Sequence, residues 1–249
     1  MAESKSPFHP EPRLLQAGDG ALTVEISDAI DPDVNDMVVA IDNHIAEATI
    51  DGVIETIPTY RSIQVVYDPM IVRSAPLVER LKQLIPDHFE APSERRHWRF
   101  PVCYGGDHGM DLDFVAETHA ITTDEVIDLH SGAEYRVYMI GFAPGFSYLG
   151  GLAEALHTPR RQNPRTVTPA SSVSIGGVQA AISSVPVPSG WHMLGRTPAR
   201  TFDRRRDQAF LLQTGDLVKF FPIKAGEFDR LDKLAEKGEL IAECETTVT

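Results

Sequence analysis

Cysteine is almost absent from this chain. Among 249 residues there are two, Cys103 and Cys244, far apart and with no CxxC or metal-ligand spacing. A disulfide framework and a cysteine-held zinc site are thereby excluded, and a reduced, cytoplasmic setting is the simplest expectation. Positive charge is also scarce: 23 Lys and Arg stand against 36 Asp and Glu, a formal net charge of −13. Nucleic-acid phosphates and anionic lipid surfaces require clustered Lys and Arg, so both are excluded as partners. No long apolar run is present. The uncharged stretch Val137 to Ala153 holds four glycines and a proline, the composition of loops and strands rather than of a membrane helix. The start, Met1 to Ser6, lacks the apolar core of a signal peptide. Also missing are a Gly-x-Ser-x-Gly elbow, a His-Glu-x-x-His pair, a Walker loop, a biotin-attachment Met-Lys-Met and any internal repeat. A self-contained hydrolase of familiar type is not written here.

What is present reads first as a small α+β domain. Residues 1–12 are polar and proline-bearing, a loose terminus. Leu22 to Ile26 alternates like a half-buried strand. Asp31-Pro32 opens a helix with Val34, Met37, Val38, Ile41 and Ile45 on one face. Val53 to Ile57 and Ile63 to Tyr67 are strands. Ser74 is the expected cap of a second helix carrying Leu77, Leu81, Leu84 and Ile85, stopped by Pro86. With Trp98 to Cys103 as a last strand, the order β-α-β-β-α-β predicts a ferredoxin-like domain over 13–104, ending near Tyr104-Gly105-Gly106.

Two short helices follow, Asp111 to His119 and one opened by a Thr122-x-x-Glu125 capping box. The pair superficially resembles a helix-turn-helix. Between Asp111 and Tyr135, however, stand seven acids and no Lys or Arg, a surface that repels DNA. Beyond His130 short strands with glycine corners run to Ile223, and Gln213-Thr214-Gly215-Asp216 reads as a hairpin turn before Leu217 to Phe221. This pattern predicts a closed or nearly closed barrel over 105–249. A last helix carries Phe228, Leu231 and Leu234 on a face that packs on the barrel or on a partner.

The chemistry-bearing stretch is Arg136 to Pro198, where glycine, proline, aromatics and arginine alternate with almost no lysine or acid. Arg160 and Arg165 each follow a proline, which restricts the backbone before it and can aim a guanidinium at an anion; surface salt bridges are the other reading. Arg161 lacks such framing and reads as a solvated neighbour. Gln179 can recognise an amide or brace a turn. His192 is a candidate acid/base near neutral pH. Trp191 is an apolar wall, and Arg196-Thr197 after Gly195 suits an oxyanion or phosphate. His130, at a helix end, gains from the helix dipole when charged. His9, His44, His88, His97, His108, His119 and His157 are scattered without ligand spacing, so no metal is expected.

Several of these residues also form a longer pattern: Leu129-His130, Gly141-Phe142-Ala143-Pro144-Gly145-Phe146-Ser147-Tyr148-Leu149, Pro159-Arg160 with Pro164-Arg165, Gly190-Trp191, Gly195-Arg196-Thr197-Pro198 and Phe202-Asp203. It resembles the allophanate hydrolase subunit 1 family, also called the carboxyltransferase C/D family, from about Leu22 to Ile223. That family includes the B subunit of 5-oxoprolinase and the sporulation-kinase inhibitor of the Kip system. The resemblance implies a cyclophilin-like barrel in a multi-subunit enzyme. With an A-like partner and a C-like carboxyltransferase partner, such a chain opens the lactam of 5-oxoproline to glutamate using ATP. No cofactor is expected on this chain; ATP enters through the complex, and the chain alone is inactive. Gln179 and His192 are the expected catalytic groups, and Arg160, Arg165, Trp191, Arg196 and Thr197 the expected substrate contacts. The same resemblance allows a carboxyltransferase-type subunit that works on urea-derived amides with a biotin carrier elsewhere, or a non-catalytic kinase inhibitor. The chain departs from the family pattern at Ser171 and Ser189, where glycine is usual, and at Ala180-Ala181, where Thr-Gly precedes Ile-Tyr. Serine at a positive-φ corner is strained.

Overall fold

The computed structural model describes residues 6–86 and 94–248, so His88 and the first five residues of the expected loose terminus lie outside it. The chain divides into two compact units, 1–93 and 94–249.

In the first unit the strands β1 (Arg13–Gln16), β2 (Ala21–Glu25), β3 (Val53–Pro58) and β4 (Ser62–Tyr67) form an antiparallel sheet in the order β1-β2-β4-β3. Helices α1 (Pro32–Ala48) and α2 (Ser74–Leu84) cover one face. Leu22, Val24, Ile63, Val65 and Tyr67 alternate inward against Val34, Val38, Ile41, Ile45, Leu77 and Leu81. Asp31 caps α1 through its carboxylate, which accepts from Asp33 N at 2.8 Å and Val34 N at 3.4 Å. Ser74 does not cap α2: it is the first helical residue, and the preceding Arg73 makes no side-chain cap bond. Residues 7–12 are not loose either, because His9 N donates to Ile26 O at 2.8 Å and Phe8 packs on the core.

The layering is ferredoxin-like, but the edge position beside β2 is filled by β1, which the alternation pattern does not reveal. The strand expected there, β5 (Glu94–Tyr104), belongs to the second unit. The boundary therefore falls at 93/94 rather than 104/105. The reason is long-range pairing: β5 runs parallel to a strand more than a hundred residues later, and its Trp98, Phe100 and Val102 face that unit's core.

The second unit contains α3 (Leu112–His119), α4 (Thr123–Gly132), β6 (Glu134–Ile140), β7 (Ser147–Gly150), β8 (Arg165–Thr168), β9 (Ser172–Gly176) and β10 (Gln179–Ile182). It continues with β11 (Val187–Ser189), β12 (His192–Arg196), β13 (Leu217–Pro222), α5 (Ala225–Glu236) and β14 (Glu243–Val248). Pairing runs β12-β9-β10-β7-β6-β13-β5, and β12 pairs again with β5, which closes a seven-stranded barrel; β14 adds to β5 outside it. The barrel's interior is apolar, built around Phe100, Tyr135, Leu149, Ile175 and Phe220. The segment 213–216 is a turn into β13, not a hairpin. The Asp216 carboxylate accepts from Arg96, Trp98 Nε1 and Gln213 N, and so ties that turn to β5. The Thr122–Glu125 capping box forms as the sequence predicts. α5 packs on the barrel through Phe228 and Ala235.

His130, at the end of α4, is fully buried against Phe220 and hydrogen-bonded through Nδ1 to Tyr104 Oη at 2.8 Å. Burial pushes its pKa down to about 3, so it stays neutral and draws nothing from the helix dipole.

Candidate functional site

The site grows from two close backbone approaches. At Gly109 an added Cβ would lie 1.9 Å from Leu194 O, so only glycine lets the chain turn this tightly against β12. That turn delivers Asp111 to the start of the strand, where Asp111 N donates to Met193 O at 3.0 Å. At Gly176 a Cβ would lie 2.8 Å from the Trp191 ring, so the indole rests on bare backbone of β9.

Trp191 belongs to an aromatic layer on the outside of the barrel. Phe146 and Tyr148 stand 4.8 Å apart by ring centroid, with Trp191 edge-on at 6.4 and 6.1 Å from them and Ala181 beneath. Phe142 meets Phe146 edge-to-face at 5.5 Å although its own backbone is held at φ +69°, a conformation unfavourable for phenylalanine. Strain of that kind is kept where surrounding structure enforces it, often beside a ligand site. These aromatics, with Arg160, Pro164, Pro188 and Ser189, line a cavity of ≈ 300 Å³. Ser189, one of the departures from the family pattern, accepts from Trp191 N at 3.1 Å and so fixes the loop that carries the indole.

Arg160 places its guanidinium 5.4 Å from the Trp191 ring centroid, a cation–π contact. No carboxylate among the described residues pairs with it. Burial raises the Tyr148 hydroxyl pKa and the nearby Arg160 charge opposes that rise. The result is a shallow apolar bowl with one free planar cation on its rim.

The other expected contacts do not join it. Arg165 forks onto the Asp111 carboxylate, Nη1 to Oδ2 at 2.8 Å and Nη2 to Oδ1 at 2.7 Å. Arg161, expected to be solvated, donates from Nη1 to Asp111 Oδ1 at 2.8 Å. Burial alone would raise the Asp111 pKa, but the bonds from Arg165 and Met193 N and the two guanidinium charges hold it below the usual carboxylate range. Arg196 points to the opposite end of β12, where Nε donates to Ala170 O at 3.2 Å and the guanidinium lies 5.4 Å from the Phe228 ring. Thr197 is buried; its N–H donates to Ser171 O at 2.9 Å and its hydroxyl accepts from Ala199 N at 3.2 Å. Gln179 is half-buried in the β9–β10 hairpin and lines neither this cavity nor its neighbour. The three expected guanidiniums therefore do not converge.

His192 is buried. Its Nε2 donates to Pro159 O at 2.9 Å and its ring stacks on Phe114 at 5.0 Å and 11°, while Nδ1 finds no partner among the described residues. It lines a second cavity of ≈ 500 Å³ with Phe114, Thr118, Thr158 and Asn163, separated from the first by Arg160 and Arg161. Asp111, which sequence reasoning did not single out, joins the 160–165 loop to β12. An acid before an apolar helical run is ordinarily a cap, but this one makes no cap bond.

In the first unit, His9, Glu25 and Asp28 bring three possible metal-ligand atoms within 4.8 Å. Arg61 already pairs with Glu25 at 3.3 Å and Asp28 at 3.2 Å, and Arg13 pairs with both acids, so two guanidiniums hold the place a cation would take.

The second unit is thus a closed barrel with an aromatic, arginine-rimmed cavity beside β12. The family model described as the carboxyltransferase domain, subdomain C and D, matches residues 12–212, and the chain belongs to that family. Among curated proteins it is similar to the B subunit of 5-oxoprolinase from Bacillus subtilis, 37% identical over 230 residues that cover 87% of this chain and 95% of that protein. It is 49% identical over 155 residues to the B subunit of 5-oxoprolinase from Haemophilus influenzae, covering 62% of this chain and 73% of that one. Among solved structures, TTHA0988 matches with a TM-score of 0.74 at 31% identity over 82% of this chain, which spans 40% of the length of that one. The Kluyveromyces lactis urea carboxylase matches 99% of this chain with a TM-score of 0.81, but at 18% identity and over 26% of its own length; that likeness concerns the fold alone. No helix among the described residues is long and apolar enough to cross a membrane.

Proposed function

We propose that this chain is the substrate-holding member of an ATP-dependent 5-oxoprolinase complex, working with A-like and C-like partner proteins. The observation that carries the reading is the guanidinium of Arg160, unpaired among the described residues, on the rim of an aromatic cavity. 5-Oxoproline is a small flat lactam ring bearing one carboxylate. Its ring suits the faces of Trp191, Phe146 and Tyr148, and its carboxylate suits a planar fork of N–H donors. The relatives named as B subunits of 5-oxoprolinase support the same substrate class.

In the reaction, water oxygen adds to the lactam carbonyl carbon, the C–N bond breaks and the nitrogen takes a proton, giving glutamate with a free amine and a second carboxylate. This chain's part is to bind and orient the ring and to exclude water from its faces. ATP and the groups that activate the carbonyl come from the partners, since no nucleotide loop or activated nucleophile is written in this sequence. The test is 5-oxoproline-dependent ATP hydrolysis by the chain alone and with its partner proteins. Turnover is expected only in the complex, and it should require Arg160. Turnover by the isolated chain would overturn the multi-component reading. A reconstituted complex that ignored 5-oxoproline but consumed a urea-derived amide would replace the substrate.

A further inference from the structure

Among the described residues Arg160 has no acid partner, so something else must fix where its charge points. Its two neighbours in the chain are each tied down. On one side, Pro159 O accepts from His192 Nε2 at 2.9 Å; a carbonyl can only accept, so Nε2 carries the proton. The His192 ring cannot turn away, because it is 2% exposed and lies flat on Phe114. On the other side, Arg161 N donates to Gly190 O at 2.7 Å and Arg161 Nη1 donates to Asp111 Oδ1 at 2.8 Å. Arg165 then grips both Asp111 oxygens, and Met193 N donates to Oδ2 at 2.7 Å. One buried carboxylate thus joins the turn before α3, the start of β12 and both ends of the 160–165 loop. Two of the loop's three guanidiniums are spent on it, and the third, between the two anchors, is left over Trp191.

We propose, resting on the reading that Arg160 holds the substrate carboxylate, that Asp111 and His192 are positioning residues that hold Arg160 over the aromatic cavity. Neither touches the substrate. Asp111 ties down Arg161 and Arg165, and with them both ends of the loop that carries Arg160, and His192 fixes the peptide entering Arg160. Affinity for 5-oxoproline is then set by a carboxylate that repels an anion on its own, which a direct-contact role cannot produce.

The test is a pair of double-mutant cycles, read as 5-oxoproline affinity of the full chain by calorimetry and as KM and kcat of the reconstituted complex. Arg160→Met alone should weaken binding about tenfold or more. Asp111→Asn should weaken it by a similar factor through KM, with kcat within about twofold. In the Arg160→Met background Asp111→Asn should have no further effect. His192→Phe keeps the stack on Phe114 but loses the donor, and should behave likewise at roughly threefold to tenfold. His192→Gln, which can still donate to Pro159 O, should restore binding. If Asp111→Asn does not melt cooperatively, the His192 cycle decides. Substitutions that multiply with Arg160→Met, or that leave affinity unchanged, would overturn the positioning role. An Arg160→Met chain that binds as wild type would overturn the cavity reading itself, whatever the other variants do.

Discussion

The two ends of β12 carry the same kinds of residue and do different things. At the His192 end, arginines, a proline-bound loop and aromatics surround an open cavity, and one guanidinium is left without an acid among the described residues. At the Arg196 end, an arginine also lies on an aromatic ring, but that ring is Phe228 of α5, and Arg200 beside it is paired with Asp232 at 2.5 Å. There the helix fills the place a ligand would need, and burial lowers the Arg196 pKa while Asp232 opposes that. The difference teaches that a cation–π pair marks a candidate site only where the face of the aromatic cluster and the edge of the cation are both open. Tyr104, whose hydroxyl bonds the neutral His130, pairs with Gly195 at this closed end, which makes that end a packed structural corner.

The largest blow to the contrast is Trp191→Ala. The indole is 7% exposed and packs with Phe146, Val187 and Ala181, so its loss should cost about 3–5 kcal/mol of stability and remove 5-oxoproline binding. Thermal melts and calorimetry would show both. A variant that melted as wild type would mean that the aromatic layer is not packed as described.

The closed end should respond to acid. His130 has a folded pKa of about 3 against an ordinary 6.5, so between those values the unfolded chain binds the proton first. Stability should therefore fall as pH drops through that window, by up to about 1.4 kcal/mol per pH unit from this group. Urea melts of wild type and His130→Gln between about pH 6 and 4 should show a flatter slope in the variant. Equal slopes would contradict a buried neutral imidazole.

Next in size is Arg196→Lys, which loses the stack on Phe228 and the bond to Ala170 O. It should cost about 1 kcal/mol of stability with unchanged 5-oxoproline affinity, the reverse of the behaviour expected at Arg160. The smallest effect concerns Ser171, which sits at φ +61° and accepts from Arg200 Nη1 at 3.3 Å. Ser171→Gly relieves the left-handed strain at the expense of that bond, for a net gain of about 0.5 kcal/mol in a thermal melt.

Much of the fold was legible because local rules were obeyed. The Asp31 cap, the Thr122–Glu125 box, the alternation in β2 and β4 and the glycine-cornered strands all point to the observed elements, and the Ser171 strain follows from a glycine-type corner. What was not legible rests on long-range pairing. β5 reads equally well as the last strand of the first unit until its partner β13 is known. Arg160 and Arg165 share the same Pro-Arg framing, yet one is free and the other is bound to an acid 54 residues earlier. Asp111 reads only as the first residue of a helix, whereas its actual partners lie on a loop and on strands that only the closed barrel brings near. His192 reads as an acid/base, and nothing local reveals that its Nε2 is committed to Pro159 O.

The central claim is that the free guanidinium at the open end, and not the one at the closed end, holds the substrate's carboxylate. Calorimetric titration of 5-oxoproline into Arg160→Lys and Arg196→Lys, side by side with wild type, tests it most directly. Lysine keeps the charge but loses the fork. Arg160→Lys should bind about tenfold more weakly at an unchanged melting temperature, and Arg196→Lys should bind as wild type. Weakened binding in Arg196→Lys with wild-type affinity in Arg160→Lys would contradict the account.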